Sequence, residues 1–164
     1  LKKLNFPRLC LPIVVVLTAL LNFAIVFSLF VAFLLLSANF PGLPFLALLP
    51  ILLLLVFFAI SLGLALGVLN VFFRDVGQFF SIFIVFWFWL TPIVYPASIV
   101  PAKFSWLISL NPMAPILGGV QDILVRGLWP QWTSLVYPAV LATFFCWVAL
   151  SLYRRHAGDM IDEL

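Results

Sequence analysis

From Leu9 to Phe73 the chain carries no charged residue. A soluble domain holds roughly a quarter of its residues as charges, whereas here 8% of 164 residues are charged and 66% are hydrophobic. No soluble core encloses that much apolar surface. Inside a bilayer the backbone must satisfy its own polar groups, which favours helices over long apolar runs. The chain is therefore read as an all-α integral membrane protein.

Two breaks divide its first half. The segment from Ser37 to Pro44 holds Pro41, Gly42 and Pro44, residues that punctuate a helix. It separates a first span over 9–36 from a second over 45–70. Each exceeds the roughly 20 residues that cross about 30 Å of hydrocarbon, so tilt or extension into the headgroups is expected. Asn22 and Ser28 lie in the first span, and an intramembrane Asn is expected to face other helices and bond to them, rather than face lipid. Ser61, Gly63, Ala65 and Gly67 recur in the second, and Gly63 with Gly67 forms a small-xxx-small pair suited to close helix approach. Arg74 and Asp75 then mark an interfacial turn. A third span over 79–97 follows, crowded with Phe and Trp, and a last one covers 131–153.

The stretch from Phe86 to Pro130 is too apolar for a solvated loop and too broken for one helix. Pro92, Pro96, Pro101, Pro112 and Pro115 interrupt it, each removing a backbone donor and crowding the residue before it. Broken backbone at membrane depth has to be buried in protein or line an aqueous cavity. This stretch is read as the functional part of a membrane transporter. Within it, Ile99–Leu110 and Met113–Val125 are each roughly 18–20 Å long as helices, too short to cross. A re-entrant pair over 99–125 is expected, broken at Asn111 and Pro112.

Charge orients the arrangement. With four full spans and one re-entrant pair, Lys2, Lys3, Arg8, Arg74, Arg154 and Arg155 share a side, leaving Lys103 and Arg126 opposite. Basic residues favour the cytoplasm, so both termini are expected there. A single crossing by 99–125 would put Arg154 and Arg155 outside. Trp106, Trp129 and Trp132 then fall near the external interface, where indole is favoured.

Little catalytic chemistry is present. There is no phosphate-binding G-x-x-x-x-G-K-[ST] loop, no H-E-x-x-H and no G-x-S-x-G, and the one His, His156, adjoins Arg154 and Arg155. Cys10 and Cys146 stand alone in apolar segments, as small hydrophobes do. The net charge of +3 comes from only 8 basic and 5 acidic residues, too sparse for a nucleic-acid footprint. No paired carboxylates at membrane depth suggest ion coupling, so a driving energy is expected from a partner. Asp122 and Arg126, four apart, meet on one helical face, either to neutralise charge near the interface or to form a gate. The aromatic run either packs helices or offers stacking faces to sugar rings.

Four blocks and the tail resemble a known family. LKKLNFPRLCLPIVVVLTALLNF at 1–23, LGVLNVFFRDVGQ at 66–78, FWLTPIVYPASIVP at 88–101 and SLNPMAPILGGVQDIL at 109–124 are similar, in matching order, to ABC type-2 permeases, as is the tail YRRHAGDMIDEL. The likeness is greatest to subunits that export O-antigen, capsule or teichoic acid. It implies a six-span permease of which this chain, beginning at Leu1 and not Met, supplies spans three to six without the first two. It implies a homodimer with two copies of a separate ATP-binding subunit, which binds ATP and Mg, and no cofactor or metal in this chain. A lipid-linked glycan would pass through the cytoplasmic (inner) membrane. Lys2, Lys3, Phe6, Pro7 and Arg8, in a cytoplasmic coupling segment over 1–8, and Arg74 with Asp75 would couple to the ATPase. Trp87, Trp89, Pro92, Tyr95, Pro96, Asn111, Pro112, Asp122 and Arg126 would shape the channel or its external gate. Gln121 stands where many relatives carry Arg. A permease for hydrophobic drugs or lipids, or a membrane scaffold, is the alternative.

Overall fold

The computed structural model describes residues 10–37, 40–93, 95, 101, 103 and 105–156. It is all-helical, with no strand among the described residues. The chain divides into two units, Leu1–Phe40 and Pro41–Leu164.

The first unit holds α1, Cys10–Leu36, whose 27 residues make a rod of about 40 Å. Its hydroxyls are settled within the helix: Thr18 Oγ1 donates to the Val14 carbonyl at 2.8 Å and Ser28 Oγ to the Ile25 carbonyl at 2.8 Å. Such local bonds are the usual economy of a hydroxyl in a helix.

In the second unit Gly42, at φ 69°, opens a 3-10 turn over Leu43–Ala47 that runs into α2, Leu48–Phe72. Pro44 and Pro50 do not break it, because each lies within a first turn, where the missing N–H has no partner to lose. A short turn leads to α3, Asp75–Leu90. Then follow α4, Ser105–Leu110, α5, Met113–Leu124, and α6, Trp132–His156. Val14–Leu36, Leu43–Phe72 and Trp132–Leu152 are long and apolar enough to cross a membrane. The third segment is shorter than the sequence predicts. Its helix starts at Asp75 rather than Phe79 and stops at Leu90, because Pro92 drives Thr91 into extended backbone at ψ 129°. Its 16 residues make about 24 Å. Val94 and residues 96–100 lie outside the described residues, as does the predicted start of the re-entrant pair at Ile99.

The core is the seam between α2 and α6. Ile51, Phe58 and Ala65 recur every seven residues on α2, with Ser61 and Val68 each three residues after a member; Leu135, Ala142 and Ala149 do the same on α6, with Pro138 three after Leu135, and all are buried. A repeat of seven keeps one stripe facing a neighbouring helix. Lipid tails are as apolar as leucine, so close contact holds such helices together, and small residues permit it. Ser61 and Ala65 serve here. Gly63 and Gly67, the pair that the sequence spacing favours, face outward, and a Cβ on either would meet nothing within 4 Å. The seam's seven-residue phase decides which small residues lie inside.

The two helices run in the same direction. A Cβ on Gly119 of α5 would lie 3.0 Å from Ile51 Cδ1, 3.5 Å from Pro130 Cβ and 4.0 Å from Leu135 Cδ2, so the starts of α2 and α6 meet at α5. Further along both, the Phe58 and Phe145 rings meet edge to face at 6.1 Å.

Candidate functional site

Two polar places stand out, one at each end of α3. The first is the turn that begins it. Arg74 occupies the N-cap position but makes no side-chain cap. Asn70, at the end of α2, does so instead: its Oδ1 accepts the Gly77 N–H at 2.8 Å. Helix starts leave such donors open, and an Asn oxygen is well suited to them. Asp75 in the first turn complements the helix dipole. Arg74 and Asp75 are both exposed and do not pair; the ion pair among the described residues is Asp122–Arg126. A Cβ on Gly77 would sit 2.9 Å from Asn70 Oδ1, so only glycine leaves that oxygen its place. Gly77→Ala and Asn70→Ala are each expected to lower thermal stability by about 1 kcal/mol, the worth of an N-cap. The double variant should lose little more than either, since both remove the same bond; fully additive losses in thermal unfolding would refute the cap.

The second place is the far end of α3. Asn111 is 4% exposed and Thr91 3%. Asn111 Oδ1 accepts the Trp87 indole N–H at 2.8 Å and the Met113 N–H at 3.0 Å. Its Nδ2 donates to Thr91 Oγ1 at 2.8 Å, and that hydroxyl donates to the Trp87 carbonyl at 2.7 Å. Asn111 thereby takes the first N–H of α5 and caps it from one residue ahead of Pro112, which holds the N-cap position with helical dihedrals, where its missing N–H loses nothing. Two further bonds brace this end: Gln121 Nε2 to the Pro92 carbonyl at 3.3 Å and Tyr137 Oη to the Leu110 carbonyl at 2.8 Å. Trp87 also packs edgewise on Phe58 and Phe80, each at 6.4 Å, so its ring is committed to packing. Trp89 differs: it is 64% exposed, and its carbonyl accepts the Tyr95 hydroxyl at 3.0 Å.

The end of α5 is separate. Arg126 Nη1 bonds Asp122 Oδ1 at 2.7 Å, four residues apart as the spacing predicts, with the side chains 66% and 20% exposed. Gly127, at φ 65°, reverses the chain and lets the Leu128 N–H reach the Asp122 carbonyl at 2.9 Å.

The sequence profile of the ABC-2 type transporter family matches residues 1–125. The chain belongs to that family. This makes the ABC-2 chain a membrane subunit of a transporter, with multiple passes. It is 33% identical over 138 residues to an O-antigen export system permease protein RfbA of Klebsiella pneumoniae, covering 83% of this chain and 53% of that one. A second RfbA of the same organism is 32% identical over 157 residues, covering 94% and 60%. One from Myxococcus xanthus is 26% identical over 166 residues, covering 100% and 64%. The ABC-2 chain thus spans less than two thirds of the length of each of these relatives.

Of the residues that the sequence singles out, Trp87, Pro92, Asn111 and Pro112 come together at the knot that ends α3. Arg74 and Asp75 share the turn that begins α3, and Asp122 and Arg126 pair on their own. Lys2, Lys3, Phe6, Pro7, Arg8 and Pro96 lie outside the described residues. Thr91, Asn70 and Tyr137 belong to these sites without having been singled out. Thr91 carried a signal, a hydroxyl closing an apolar run just before a Pro, whereas Asn70 lies four residues ahead of Arg74 with nothing local to mark it.

Proposed function

We propose that the chain is the permease portion of an ABC exporter that moves a lipid-linked polysaccharide, of the O-antigen class, across the cytoplasmic membrane. A separate ATP-binding subunit, holding ATP and Mg, supplies the energy, and two copies of each subunit form the exporter. The observation that carries this reading is likeness along 94% of the chain to a protein named as an O-antigen export permease. The proposed topology has four crossings, with α3 as the third and residues 99–125 as a re-entrant pair at the external side. Its support is that α5 sits where α2 and α6 both begin. The Arg74–Asp75 turn then faces the cytoplasm with both charges uncommitted, as a contact for the ATPase would need.

The test uses the full-length protein with its ATPase in vesicles that contain a lipid-linked glycan. ATP-dependent transfer of the glycan is expected. No transfer, with ATP-driven efflux of hydrophobic drugs instead, would overturn the reading. In the same vesicles Arg74→Glu is expected to cut ATP-driven export roughly tenfold, a charge reversal at a desolvated contact being worth upwards of 1.4 kcal/mol. Undiminished export and unchanged stimulated ATPase activity would remove Arg74 from the coupling surface.

A further inference from the structure

Helix α3 is apolar, yet none of its residues is fully buried. Packing holds it weakly, and polar bonds sit at its two ends. Asn70 Oδ1 takes the Gly77 N–H at 2.8 Å at the start. Asn111 takes the Trp87 indole and gives to Thr91, each at 2.8 Å, at the finish.

We infer that Asn70 and Asn111 are positioning residues that pin the two ends of α3, making the helix a stiff rod that carries displacement of the Arg74–Asp75 turn to the break between α4 and α5. The inference rests on the exporter topology proposed above. Three features support it. From Gln78 to Leu90 there is no Gly or Pro, the residues at which helices kink. Phe79 stacks on Phe83 at 6.4 Å, and Phe83 leans on Trp87 at 5.6 Å, so rings four residues apart stiffen one face. Gly77 and Pro92 stand just inside and just outside the two pins, where the backbone can bend. Little buried area resists a tilt of the rod, whereas hydrogen bonds hold its ends, an exposed one at the start and a buried cluster at the finish. Asn111 also caps α5, so motion that reaches the outer pin passes directly to that helix.

The test places spin labels at Phe86 on α3 and Val125 beyond α5, which are 69% and 80% exposed, in the full-length protein reconstituted with its ATPase. One narrow distance is expected with and without ATP, because the outer pin joins the two helices. Thr91→Val should broaden that distance and lower glycan moved per ATP hydrolysed roughly fivefold, a typical coupling energy. Thr91→Ser keeps the hydroxyl and should restore both. Asn70→Ala should lower the same ratio while the outer distance stays narrow. If Thr91→Val fails to assemble, Trp87→Phe, which loses one donor but keeps a ring, carries the same expectation. A broad distance in the unsubstituted protein, or a narrow one in Thr91→Val with an unchanged ratio, would overturn the rod. The distances need no glycan, so a broad distance in the unsubstituted protein overturns the rod even where that protein moves none and the exporter reading itself fails.

Discussion

Asn111→Ala is expected to lower the stability of the full-length protein by roughly 2–4 kcal/mol, read from its unfolding in detergent. The sum comes from named losses. The cap on Met113 N–H is worth about 1 kcal/mol. Interhelical bonds inside membranes average about 0.6 kcal/mol and reach about 1.7, and two such bonds go to Trp87 and Thr91. The remainder is the penalty for leaving the Trp87 indole N–H without a partner; the Thr91 hydroxyl loses a donor but keeps its bond to the Trp87 carbonyl. Asn111→Ser keeps an N-cap oxygen but cannot span to both partners, so it should recover about 1 kcal/mol. Equal stability of Asn111→Ala and the unsubstituted protein would mean that the knot contributes nothing.

Gly119→Ile is expected to be at least as damaging, at about 3 kcal/mol or more, since overpacking a filled contact costs about 1–3 kcal/mol and a branched side chain adds crowding in a helix. The first carbon of any side chain there already meets Ile51 Cδ1 at 3.0 Å, with Pro130 behind it. Gly119→Ala should be far milder. The Ile51 terminus can shift by a few tenths of an ångström, and alanine regains up to about 1 kcal/mol of helix propensity. The graded pair is the check, by yield of folded protein and by unfolding. An isoleucine variant as stable as the alanine variant would place α5 away from the starts of α2 and α6.

The long helices were legible because membrane spans advertise themselves by composition: the uncharged run to Phe73 and the Pro-Gly break after Ser37 bounded α1 and α2. The Asn-Pro break before α5 was legible for a local reason, since a capping residue followed by Pro is a helix start in itself. The Asp122–Arg126 pair followed from helical spacing. Three things were not legible. The small residues of α2 alternate along the chain, and only the phase of a partner helix tells that Ser61 and Ala65 lie inside while Gly63 and Gly67 face out. The start of α3 at Asp75 depends on Asn70 capping from the preceding helix. The Trp87–Asn111–Thr91 knot joins residues 20 and 24 positions apart, and nothing in the local pattern of either segment encodes the other.

The shared direction of α2 and α6 has a consequence in terms of parity. A chain that leaves the far end of one helix and enters the near end of a parallel neighbour must traverse the layer an odd number of times in between. If α3 makes one such passage, everything from Thr91 to Gln131 has to contribute an even number, and a hairpin that dips and returns contributes none. A change in the length of that stretch that keeps the number even therefore leaves the direction of α6 unchanged.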